Sequence, residues 1–70
     1  MYEISITFVG KNWSTYTTES EAEFNHAKEQ VNQQLQKDCD TIIFVIDDNY
    51  VILFKANICE INFKEDTEEN

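Results

Sequence analysis

The chain contains no proline and no arginine, a single glycine, Gly10, and a single histidine, His26. Each scarcity removes a class of function. One glycine cannot build the Gly-rich loop whose backbone amides cradle a phosphate. With one histidine, every Ser or Cys nucleophile would have to share His26 as its base. That residue lies about 145° around its helix from the apolar stripe, at 100° per residue, and so faces water. No catalytic residues are expected, and the chain is read as a non-enzyme.

Positive charge is equally short. Five lysines (Lys11, Lys28, Lys37, Lys55 and Lys64) are scattered among 14 acidic residues, and the formal net charge is −9. Neutralising phosphates supplies much of the affinity of nucleic-acid complexes, so here that contribution is repulsive. Trp13 and Tyr16 could stack on bases, yet no basic groove accompanies them. Direct nucleic-acid binding is not expected. No apolar run approaches the ~18 residues of a membrane span. The start, MYEISITFVGKNW, lacks the basic opening and unbroken apolar segment of a secretory signal, so a cytoplasmic location is expected.

The two cysteines, Cys39 and Cys59, form no C-x-x-C unit. They read as reduced thiols packed as small hydrophobes, although a bridge between them stays open. No cofactor or metal is expected. The single grouping of suitable ligands, Glu19, Glu23 and His26, would bring two carboxylates and an imidazole to one helix face, a pattern that solvated helices carry routinely. The composition leans toward Ile, Asn, Lys, Phe and Tyr, whose codons are AT-rich, and this suggests a low-GC bacterium or one of its phages.

What is present is pattern. Seventy residues make one domain with a thin stability margin. Residues 2–9, YEISITFV, alternate as a half-buried strand, with Tyr2, Ile4, Ile6 and Phe8 on one side. Gly10-Lys11-Asn12 suits a hairpin, and WSTYTT (13–18) returns as an edge strand. Thr18-Glu19-Ser20-Glu21 has the form of a capping box, with Thr18 as N-cap. Phe24, Ala27, Val31 and Leu35 then mark one stripe of a helix from about Glu19 to Gln36. Three strand-like pieces follow: TIIFVI (41–46), YVILFK (50–55) and ICEINF (58–63). Asp47-Asp48-Asn49 and Ala56-Asn57 read as tight hairpin links. Adjacent aspartates in a turn cannot converge on one reacting atom, so Asp47 and Asp48 are read as a turn and not as a catalytic pair.

The order ββαβββ implies an α+β fold, a mostly antiparallel five-stranded sheet with one helix packed on one face and the third and fourth strands near its centre. The compact domain is placed at residues 1–63, with residues 64–70 a disordered acidic tail. Cys59, Ile61 and Phe63 join the face under the helix. The third and fourth strands are apolar on both sides, which ordinarily means cover on both faces. With nothing left to cover the second one, Ile43, Val45, Tyr50, Ile52 and Phe54 form an exposed strip of a few hundred Å², the range in which patches begin to signify contact sites. It is either a narrow strip shielded by long polar neighbours and tolerated, or an interface.

Function follows from that strip and from the charge. The first expectation is a small acidic protein-binding module, a phage-type inhibitor that mimics nucleic acid and occupies the groove of a basic nucleic-acid-binding protein. Its carboxylates would be Glu19, Glu21, Glu23, Asp38, Asp40, Asp47 and Asp48. The alternative is an accessory protein that self-associates as a homodimer through the open sheet face. A metal or small-ligand binder is the remote third.

Overall fold

The computed structural model describes residues 1–65. In chain order these form β1 (Tyr2–Phe8), β2 (Trp13–Thr18), α1 (Glu21–Leu35), β3 (Thr41–Ile46), β4 (Asn49–Phe54), a 3-10 turn at Lys55–Asn57, and β5 (Ile58–Glu65). The class is α+β with antiparallel pairing throughout, but the strands make two sheets. One is three-stranded, ordered β2-β1-β5; the other is the β3-β4 hairpin alone. β5 continues through Lys64 and Glu65, which pair with Glu3 and Tyr2. The rest of the acidic tail, residues 66–70, lies outside the described residues.

The three-stranded sheet has one apolar face. Around Ile4 and Ile6, which are fully buried, the register sets Tyr16, Ile61 and Phe63 on the same side. The reverse side carries Glu3, Ser5 and Thr7 opposite Thr15, Thr17, Glu60, Asn62 and Lys64. Near its start β5 slips register between Thr7 and Phe8, so that Ile58, not Cys59, faces Phe8. This bulge corrects the expected alternation: the extra residue, Cys59, is turned out and exposed.

One helix cannot roof that face. Among its apolar residues only Phe24, Ala27 and Val31 are buried, while Leu35, at the end of the stripe, is 50% exposed. The hairpin supplies the remaining cover. Ile42, Phe44 and Ile46 of β3, with Val51 and Leu53 of β4, join Ile4, Ile6 and the helix in a single core. Tyr16 meets Phe44 edge-on at 5.6 Å, and Tyr2 stacks on Phe24 at 5.0 Å. The hairpin is thus a second layer and not the middle of one sheet. For the same reason Ala56-Asn57 is not a tight hairpin. The 3-10 turn carries the chain from one layer to the other, and Val9 N–H donates to Asn57 O at 2.9 Å.

Both turns that need unusual backbone have residues suited to it. Gly10 and Lys11 link β1 to β2 at φ 97° and 71°. Asp47 and Asp48 join β3 to β4 at φ 48° and 66°, the two-residue turn with positive φ at both centres that matches strand twist. The helix begins later than its first capping signal. Ser20, not Thr18, is the N-cap, and its hydroxyl accepts from Glu23 N–H at 3.2 Å. Thr18 is held extended by its pairing with Tyr2 and is 3% exposed. Its hydroxyl accepts from Ser20 N–H at 3.1 Å and donates to Asp47 Oδ1 at 2.6 Å. That bond ties the hairpin tip to the end of β2.

The helix also closes an edge of the hairpin. Ile43 N–H donates to Gln34 Oε1 at 2.7 Å while Gln34 Nε2 donates back to Ile43 O at 2.5 Å. Val45 N–H donates to Gln30 Oε1 and Asp47 N–H to Glu23 Oε1, both at 3.1 Å. From Ile43 to Asp47 every second amide is therefore satisfied by a helix side chain, where a neighbouring strand would otherwise stand. Replacing Gln34 with Ala leaves both backbone groups of Ile43 without this partner. A loss of about 1–3 kcal/mol in denaturant-measured stability is expected, with faster hydrogen exchange at Ile43 than at Phe44.

Candidate functional site

The outer face of the hairpin follows from strand parity. Val45 opposes Tyr50, Ile43 opposes Ile52, and Thr41 opposes Phe54, so these six side chains share the face turned away from the core. Ile43 and Val45 are half-buried. The β4 row is open: Tyr50 is 67% exposed, Ile52 51% and Phe54 58%. All five residues of the expected strip thus lie together, with the exposed part concentrated on β4. Charged side chains are absent from β3 and β4 alike. Scattered exposed hydrophobes are ordinary, whereas three in a row on one uncharged strand are not.

The acidic residues do not form one field. Glu19, Glu21 and Glu23 stand at the helix start, and Asp47 and Asp48 at the hairpin tip. These two elements meet through the Asp47 N–H bond to Glu23. Asp38 and Asp40 precede β3 at its other end, about 20 Å away for six residues at ~3.3 Å each. There Lys55 N–H donates to Asp40 O, and Lys55 Nζ donates to Lys37 O, both at 2.8 Å. One end of the hairpin is strongly acidic, and the other mixes both signs. Tandem carboxylates at positions 19, 21 and 23 also favour the positive end of the helix dipole, a structural role that needs no partner.

Among the described residues no group of three or more His, Cys, Asp or Glu is placed to hold a metal ion. Glu19 precedes the helix, so it does not continue the helical face that would align it with Glu23 and His26. Cys39 and Cys59 are both free and exposed, not packed. The Cys39 thiol lies 3.3 Å from Thr41 O, on the chain segment that leads into β3. No helix among the described residues is long and apolar enough to cross a membrane. Trp13 sits on the polar outer face of the three-stranded sheet beside Thr7, not beside a lysine cluster. No family model, curated protein or solved structure matches this chain.

One titration is displaced. Burial pushes the Tyr2 phenol above its ordinary value of 10.0, and the Glu21 and Glu65 carboxylates add to the shift, Glu21 also accepting a hydrogen bond from it. A folded-state value above the unfolded one means that the unfolded chain releases this proton first. The contribution of Tyr2 to stability is therefore complete below the unfolded value, and it falls as pH rises through the folded one. Tyr2→Phe is expected to lose the hydrogen bond to Glu21, a modest destabilisation at neutral pH, and to flatten the loss of stability on the alkaline side of pH 10.0. Denaturation midpoints of the two proteins across that range provide the measurement.

Proposed function

We propose that this chain is a small acidic protein-binding module that meets its partner through the outer face of the β3-β4 hairpin. The row of Tyr50, Ile52 and Phe54, uncharged and more than half exposed in a chain of net charge −9, carries the reading. Aromatic and aliphatic anchors on a rigid element are what interface centres are made of, and a polar surround excludes water from them. The carboxylates at the helix start and hairpin tip give the surface a direction. They attract a positively charged partner over a distance of about a Debye length, while the neutral strip makes the close contact.

A narrower version of this reading is a nucleic-acid decoy. The clustering of Glu19, Glu21 and Glu23 against Asp47 and Asp48 favours it, since carboxylates grouped on rigid elements can occupy a basic groove in place of phosphates. Self-association through the hairpin face is the alternative. In either case the protein acts by occupying a surface and carries out no reaction, and a cytoplasmic location accords with its two free, exposed thiols.

Replacing Phe54 with a photo-crosslinking phenylalanine tests the surface directly, with the same probe at Thr15, on the polar face of the other sheet, as the control. A partner crosslinked from position 54 in a bacterial lysate and absent from position 15 is the expected result. Equal labelling from both positions, or none from either, would remove the hairpin face as the contact. The salt dependence of that capture separates the two versions. A decoy for a basic groove loses its partner steeply as salt rises, and an apolar contact does not.

A further inference from the structure

The backbone of β4 carries information that its side chains do not. In an antiparallel pair, opposed residues alternate between those that exchange hydrogen bonds across the pair and those whose N–H and C=O point away from it. Lys55 N–H bonds Asp40 O, which places the 40/55 pair in the first group. Counting along the register, 42/53, 44/51 and 46/49 belong with it, and 41/54, 43/52 and 45/50 do not. Helix side chains at Ile43 and Val45 agree with that parity, because they reach groups directed away from β4. On the other side of the hairpin, Tyr50, Ile52 and Phe54 direct their N–H and C=O groups outward. Among the described residues no strand pairs with them there.

The two edges of one hairpin are thus treated differently. β3 is closed by Gln30, Gln34 and Glu23, whereas β4 has none of the usual protections: no proline, no charged side chain and no bulge. The other open edges are less suited to pairing. β5 carries Glu60, Lys64 and a bulge, and β2 would bring mainly Ser and Thr together. Exchanging backbone bonds with water for bonds with a strand is nearly neutral, so an edge pairs only where side chains are buried as well.

We propose that β4 pairs antiparallel with β4 of a second copy about a two-fold axis at Ile52, joining the two hairpins into one four-stranded sheet. Centring on Ile52 matches all three outward residues. Ile52 faces its own equivalent, and Tyr50 faces Phe54 of the second copy on both sides of the axis. Moving the axis to Val51 or Leu53 leaves one of the three without a match. The same centring sets Asn49 opposite Lys55 of the second copy, so the acidic turn of one chain lies beside a lysine of the other and not beside its acidic turn. Elsewhere two chains of net charge −9 repel, and the uncharged β4 edge is where that repulsion is least. Because the two-fold axis stands perpendicular to the sheet, both outer faces end on the same side and their apolar rows become continuous. The inference does not depend on another protein as partner, yet it would double the surface available to one.

Sedimentation velocity across a wide concentration range, with an isotope-mixed NMR sample, tests the pairing. A reversible dimer that strengthens with added salt is expected, in contrast to capture of a basic partner. In the paired state Val51 Hα lies close to Leu53 Hα of the second copy, and that intermolecular contact identifies this register alone. Ile52→Pro removes an outward N–H but no β3-β4 bond, whereas Ile52→Thr keeps the N–H and loses apolar surface. Ile52→Pro is expected to weaken association at least about tenfold beyond Ile52→Thr, with circular dichroism of both variants unchanged. A chain that stays monomeric at every concentration overturns the proposal, as does a dimer that lacks the Val51–Leu53 contact. Should Ile52→Pro fail to fold, the contact in the unsubstituted protein decides alone. Crosslinking of another protein from position 54 by a strictly monomeric chain would leave the protein-binding reading standing without this one.

Discussion

Gln34, holding both backbone groups of Ile43 from the side of the helix, is the contact on which the second layer depends. An isolated two-stranded hairpin is marginal in water, and this one has no third strand. The helix takes that place. Its buried stripe of Phe24, Ala27 and Val31 fixes it to the core. The side-chain amides of Gln34 and Gln30 and the carboxylate of Glu23 accept from the N–H groups of Ile43, Val45 and Asp47. Side chains thus stand in for a strand edge, and helix and hairpin together form the layer that shelters Ile4 and Ile6. The second tie, Thr18 to Asp47, anchors the far end of the same hairpin to the three-stranded sheet.

This arrangement has a cost in exposure. A layer made of one helix and two strands has an inner side that is fully used and an outer side with nothing beyond it. Burying Ile42, Phe44, Ile46, Val51 and Leu53 determines, through the period of two, that Tyr50, Ile52 and Phe54 point outward. A protein needing only solubility would carry Thr, Lys or Glu at those positions at little loss to the core. That they are apolar is the reason to look for a contact there. The closing of β3 and not of β4 gives the same inference from the backbone.

Short-range features were legible in the residues. The positive-φ turn at Asp47 and Asp48, the alternation of β1 and the inner and outer sets of β3 and β4 all follow from local pattern, because each depends on neighbours one to four residues away. The division into two sheets was not legible. Whether β3 meets another strand or a helix at its outer edge is decided by Gln30 and Gln34, which in sequence look like any solvated helix face. Two overlapping capping frames, Thr18 to Glu21 and Ser20 to Glu23, are locally equivalent, and the long-range pairing of Thr18 with Tyr2 selects the second. The bulge that expels Cys59 likewise depends on β1, about fifty residues earlier, and leaves no mark in the alternation of β5 itself.

Charge and apolar surface have to be considered together in a molecule this small. Glu19, Glu21, Glu23, Asp47 and Asp48 lie at one end of the hairpin, while Lys37 and Lys55 accompany Asp38 and Asp40 at the other. The strip between them is neutral. A partner approaching through water feels the ends first, because Coulomb forces act over a Debye length and apolar contact only at van der Waals range. On the proposed reading the end charges would set orientation, and the strip would set how long an encounter lasts. A basic protein would be drawn to the tip, whereas a second copy, repelled overall, would be least opposed with each tip beside the other's mixed-sign end. Either proposed encounter would use the same three side chains of β4, and rising ionic strength would weaken the first while easing the repulsion that opposes the second.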